Sequence, residues 1–164
     1  MPATVRYRAE IEIVVVLSSE NGTWSDPMQV SSLTGTRILI VEDETLVAMP
    51  VEDELLNAGA HVVGTATSVA EALRMIEVAI GNGGISAAVL DINLDGELVW
   101  LVTNTLDEFG VPFVFETGYA SGCDVGKYVM APILHKPFDP QALIGTVAGL
   151  VTSSLSGPVH VPTV

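Results

Sequence analysis

From Arg37 to about Leu150 the chain alternates between two hydrophobic patterns. In the first, apolar residues run almost without interruption, as in Ile38-Leu39-Ile40-Val41, Ala87-Ala88-Val89-Leu90 and Pro112-Phe113-Val114-Phe115. Such runs suit strands covered on both faces of a parallel sheet. They predict strands over Arg37 to Glu42, His61 to Gly64, Ala87 to Asp91, Val111 to Thr117 and Pro132 to His135. In the second pattern apolar residues return at helical spacing. Glu44 to Ala58 carries Leu46, Val47, Met49, Val51, Leu55 and Leu56, with Gly59 placed to end the helix. Pro50 lacks a backbone donor, which predicts a kink or a late start there. Ser68 caps a second helix through Ile80, with Glu71 as its capping-box partner. Glu97 to Phe109 predicts a third helix and Gln141 to Val151 a fourth, introduced by Asp139-Pro140. Gly118 to Met130 predicts a loop with a short helix at most, because Gly118, Gly122 and Gly126 all disfavour one.

Strands alternating with helices predict an α/β fold, a five-stranded parallel sheet with helices on both faces in a three-layer sandwich. The flavodoxin-like strand order 2-1-3-4-5 is preferred because it gathers the ends of strands 1, 3, 4 and 5. Those ends carry Glu42-Asp43, Asp91, Thr117 and Lys136. Residues 36–152 are assigned to this domain. Residues 1–35 are expected to be an extension, with Ala9 to Leu17 as an edge strand and Ser18 to Gly35 as a linker. Residues 153–164 are expected to be a mobile tail.

Composition narrows the functions. The 164 residues suffice for one core, and the net charge is −14 with only 6 Lys and Arg. A nucleic-acid binder needs basic side chains to displace counterions, so direct DNA binding is excluded. Ile13 to Leu17 falls well below the roughly 20 residues of a membrane helix, and Glu10 and Glu12 interrupt a signal-peptide pattern. The lone cysteine, Cys123, fits a reducing cytoplasm.

The strand-end residues form a coherent chemical set. An aspartate that accepts a phosphoryl group needs cationic help, since such transfer depends on positioning and electrostatic stabilisation. Mg²⁺ prefers oxygen ligands, and Asp43 and Asp91 are the natural carboxylates. Glu42 can hold a water or complete the shell, and the backbone carbonyl of Asn93 can add an oxygen. Lys136 would pair with one phosphoryl oxygen and the Thr117 hydroxyl with another. Singly, Asp43 or Asp91 is more often a helix cap and Lys136-Pro137 a turn; the joint pattern favours a phosphoacceptor site.

At these residues the segment from Arg37 to about Val151 resembles the receiver domain of two-component response regulators. The resemblance rests on Ile38-Leu39-Ile40-Val41-Glu42-Asp43-Glu44, Val89-Leu90-Asp91-Ile92-Asn93-Leu94, Phe115-Glu116-Thr117-Gly118-Tyr119 and His135-Lys136-Pro137-Phe138. It implies transient, Mg²⁺-dependent phosphorylation of Asp91 by a histidine kinase or histidine phosphotransfer protein. The fourth-strand segment is similar to an alphaproteobacterial single-domain subgroup with Phe-Ala-Thr-Gly-Tyr, from which Glu116 departs. Alternation should turn Glu116 away from Thr117, so its expected effect is modest. Ile133 stands where many receivers carry an aromatic switch residue, and Tyr119 is a candidate substitute. His135 is expected at the surface, Cys123 has no histidine near it in sequence, and Trp100 is expected to be core or interface filler.

These readings predict a stand-alone phosphorelay signalling receiver, not a conventional turnover enzyme, whose phosphorylation changes a protein-binding surface for a downstream protein. No nucleic-acid partner and no membrane insertion are expected. Two alternatives are a phosphate sink and a phosphorylation-independent interaction module. A haloacid-dehalogenase-like phosphatase wants a second aspartate where Asn93 stands. A dinucleotide fold wants glycines where Glu42-Asp43-Glu44 stands.

Overall fold

The computed structural model describes residues 32–118 and 125–155. The expected edge strand at Ala9 to Leu17, most of the linker, Tyr119, Cys123 and residues 156–164 lie outside them.

Five parallel strands form the main sheet: β1 (Arg37–Val41), β2 (His61–Ala66), β3 (Ala87–Asp91), β6 (Phe113–Thr117) and β7 (Ile133–His135). Their order is β2-β1-β3-β6-β7, the predicted 2-1-3-4-5 arrangement. A short antiparallel ribbon, β4 (Asn93–Leu94) with β5 (Glu97–Leu98), interrupts the crossover after β3. The helices are α1 (Thr45–Asn57), α2 (Val69–Ile80), α3 (Trp100–Glu108) and α4 (Pro140–Leu155), with a 3-10 turn at Gly126–Tyr128.

Strand alternation divides the core in two. Leu39, Val41, Ala88, Leu90, Phe113 and Phe115 pack with Val69, Ala72 and Ile76 of α2 and Val102 and Leu106 of α3. Ile38, Ile40, Ala87, Val89 and Val114 pack with Val51 and Leu55 of α1 and Leu143, Ile144 and Val147 of α4. Burying both faces of these strands removes a large apolar area from water and supplies most of the driving force for the fold. Trp100 and Tyr128 meet the phenylalanines edge-on, with ring centroids 6.0 Å apart for Trp100–Phe115 and 5.2 Å for Phe113–Tyr128.

Several expectations need correction. Helix α1 starts at Thr45 and runs through Pro50, which lies on its exposed face where the Leu46 carbonyl can meet water. Ala48, Val51 and Leu55 face the core, whereas Leu46 and Met49 are exposed. Helix α3 begins at Trp100 rather than Glu97. Asp95 (φ 50°) and Gly96 (φ 90°) form the two-residue turn of the β4–β5 ribbon and delay the helix. Helix α4 extends through Leu155, into the expected tail. Ser68 Oγ accepts from Glu71 N at 3.2 Å as predicted, but the Glu71 carboxylate takes the Thr67 amide instead of that of Ser68.

Candidate functional site

Glu42 and Asp43 follow β1, Asp91 ends β3, and Lys136 follows β7. Because β1, β3, β6 and β7 are neighbours running in one direction, these residues meet at the carboxyl edge of the sheet. Lys136 Nζ lies 2.5 Å from Glu42 Oε2 and 2.8 Å from Asp91 Oδ2, bridging the ends of two neighbouring strands. The remaining oxygens are held from the backbone: Glu44 N donates to Glu42 Oε1 at 3.0 Å, and Asn93 N donates to Asp91 Oδ1 at 3.0 Å. Oxygens of Glu42, Asp43 and Asp91 come within 4.8 Å of one another. An all-oxygen cluster of this size fits a hard divalent cation better than a thiolate- or imidazole-seeking one.

Burial sets the electrostatics. Glu42 is fully buried, and desolvation pushes its carboxyl above the ordinary range against the hydrogen bonds from Lys136 and the Glu44 amide. Burial alone would depress Lys136, but hydrogen bonds to Asp91 and Glu42 outweigh it and hold the ammonium above its usual range. The Lys136 ammonium is thus held between two acids.

The other predicted residues fall as follows. Thr117 ends β6, is buried, and its carbonyl accepts from Lys136 N at 2.8 Å. Asn93 opens β4, where Val99 N bonds to Ile92 O. Antiparallel alternation then leaves the Asn93 carbonyl outside the ribbon's ladder, available at the site edge. Ile133 pairs with Phe115 and packs against the α2–α3 side of the core, so an aliphatic side chain fills that place. His135 is exposed, as expected.

Glu116 has more weight at the site than the modest effect expected from strand alternation. It does turn away from Thr117, which shares the face of Phe113 and Phe115. That turn brings Glu116 onto the face of Val114, and thus of Glu42, Asp91 and Lys136, where it is fully buried. Neither of its oxygens meets a donor. Its carboxyl neighbour, Glu42, becomes a hydrogen-bond partner only if the two share a proton. Burial, offset in part by the charge of Lys136 and reinforced by Glu42, raises the Glu116 carboxyl to about 8. An acid closing an otherwise apolar strand run was the signal for it in the sequence.

No protein-family model matches the chain. It is 36% identical over 116 residues to the phyllosphere-induced regulator PhyR of Methylorubrum extorquens, covering 69% of this chain and 42% of PhyR. The chain thus spans less than half the length of that curated relative. Among solved structures, SdrG from Sphingomonas melonis Fr1 is 41% identical with a TM-score of 0.62, the match covering 71% of this chain and 96% of SdrG. A response regulator receiver protein from Sinorhizobium medicae is 28% identical with a TM-score of 0.62, covering 75% and 99%. A flavodoxin-like receiver fold is what these solved relatives share with the chain. The chain belongs to the response regulator receiver family.

Proposed function

We propose that this receiver takes a phosphoryl group onto Asp91 from a phosphohistidine of a histidine kinase or phosphotransfer protein and signals through its protein-binding surface. The observation that carries the reading is the Lys136 bridge to Asp91 and Glu42, with Asp43 completing the acidic cluster. Similarity over 96% of the solved SdrG chain supports the receiver reading.

In the transfer an Asp91 carboxylate oxygen attacks phosphorus, the phosphorus–nitrogen bond of the donor breaks, and the leaving imidazole nitrogen keeps the electron pair. Lys136 is placed to follow the charge as it moves onto the phosphoryl oxygens. The Asn93 amide fixes the Asp91 carboxylate, so the nucleophile is oriented before the donor arrives. Thr117, at the neighbouring strand end, would donate its hydroxyl to a phosphoryl oxygen. A Mg²⁺ ion held by Asp43 and Asp91, with Glu42 and the Asn93 carbonyl at its edge, would neutralise charge on the incoming group.

The test is transfer from a radiolabelled phosphohistidine donor. Label should move to the chain only with Mg²⁺ and should be released by hydroxylamine, as an acyl phosphate is. Hydroxylamine-resistant label, or equal labelling of Asp91→Asn, would contradict the assignment.

A further inference from the structure

Among the described residues, the two Glu116 oxygens are the buried side-chain polar atoms that lack a hydrogen-bond partner. Such an orphan is costly and rare in folded proteins, so its surroundings bear on what it is for. Glu116 stands opposite Asp91 in the β3–β6 ladder and opposite Leu134 in the β6–β7 ladder. Leu134 lies two residues before Lys136, which puts Lys136 and Glu116 on one face of adjoining chain segments. The carboxyl of Glu116 is therefore flanked by both members of the Lys136–Asp91 pair.

We propose that Glu116 is a second seat for Lys136, a positioning residue that receives the ammonium when Glu42 and Asp91 turn to a divalent cation. This inference rests on the receiver reading above. In the present arrangement one ammonium serves the two acids that a cation would also use. A cation among Glu42, Asp43 and Asp91 repels that ammonium and takes over its acceptors. The Lys136 side chain is only 17% exposed, so withdrawal into water would need the chain around it to open. Glu116 offers an acceptor on the same face with both oxygens open to a donor. An ammonium placed there would give those oxygens the donor they lack. Lys136 then stays beside the phosphoryl position in place of escaping to solvent, and an apolar residue at 116 would provide no such seat.

The sequence makes this testable because it contains just two lysines, Lys127 and Lys136, and Lys127 is largely exposed. The full chain is labelled with [¹⁵N]lysine, and the side-chain ammonium signals of wild type, Glu116→Gln and Glu116→Ala are recorded with and without Mg²⁺. Without the ion, all three proteins should show a Lys136 signal protected from water by Glu42 and Asp91, which also confirms that the variants fold. With saturating Mg²⁺ the wild-type signal should persist and correlate with the Glu116 methylenes, whereas both variants should lose it to exchange with water. Equal behaviour of wild type and variants on adding Mg²⁺ would overturn the second seat while leaving the receiver reading standing. Absence of any Mg²⁺-induced shift of the backbone amides around Asp43 and Asp91, read on a uniformly ¹⁵N-labelled wild-type sample, would overturn both.

Discussion

Asp91 and Glu116 stand opposite each other in the β3–β6 ladder, an acid facing an acid between neighbouring strands. Their surroundings make them unequal. Asp91 is held by Lys136 and the Asn93 amide, whereas Glu116 has no donor and is fully buried.

That inequality predicts a pH-dependent stability. The Glu116 carboxyl titrates at about 8 in the folded protein against an ordinary 4.5. The folded state therefore holds its proton more tightly than the unfolded state does. The contribution is fully present below about 4.5 and is lost as pH rises through about 8. Glu116→Gln should match wild type at pH 4.5 and exceed it at pH 8.5 by on the order of 4 kcal/mol, read by urea unfolding at the two pH values. A gap that is constant with pH would show that Glu116 does not titrate in this window.

Lys136 is the counter-charge for a fully buried Glu42 and a largely buried Asp91. Removing it as Lys136→Gln leaves two acids without a cation, and a loss of roughly 2–4 kcal/mol is expected in metal-free buffer. Mg²⁺ should restore part of that loss by supplying charge to the same oxygens. Thermal unfolding with and without the ion would test both statements, and an unchanged midpoint in metal-free buffer would contradict the first.

Gly59 adopts φ 91° after α1, and a Cβ there would stand 2.7 Å from Thr34 Oγ1. Gly59→Ala should cost about 1–3 kcal/mol from conformation and crowding together. Adding Thr34→Ala should recover only the crowding part, because the positive φ remains. Full recovery in the double variant would show that conformation contributes nothing.

Ser68 Oγ takes the Glu71 amide at the start of α2. Ser68→Ala should lower stability by about 1 kcal/mol, read by urea unfolding. A larger loss would indicate that α2 depends on this cap more than on its buried face of Ala72, Ile76 and Ala79.

What the sequence revealed follows from how local each signal was. Ala87 to Leu90 is a continuous apolar run closed by Asp91, and the two together are strand β3 to the residue. The cap at Asp139, whose Oδ1 accepts from Gln141 N at 2.7 Å, was equally plain because its signal spans a few neighbouring positions. Helical spacing extends α3 back to Glu97 because Glu97-Leu98 fits a helix, whereas Asp95-Gly96 is the stronger hairpin signal and places those two residues in β5. Spacing placed Leu46 and Met49 among the apolar residues of α1, but which of them face the sheet depends on packing against α4 and β1. Glu116 shows the same limit at the site. Strand alternation set its orientation correctly, but only the assembled sheet reveals that this direction leads to Glu42 and Lys136.

The central claim is that Asp91 accepts a phosphoryl group in a site built from Lys136 and the acidic cluster. Intact-mass measurement after incubation with acetyl phosphate tests it most directly, on wild type and Asp91→Asn, with Mg²⁺ and with a chelator. A gain of one phosphoryl mass that requires both Mg²⁺ and Asp91 is the expected result. A gain of the same size in Asp91→Asn, or in the presence of the chelator, would contradict the account.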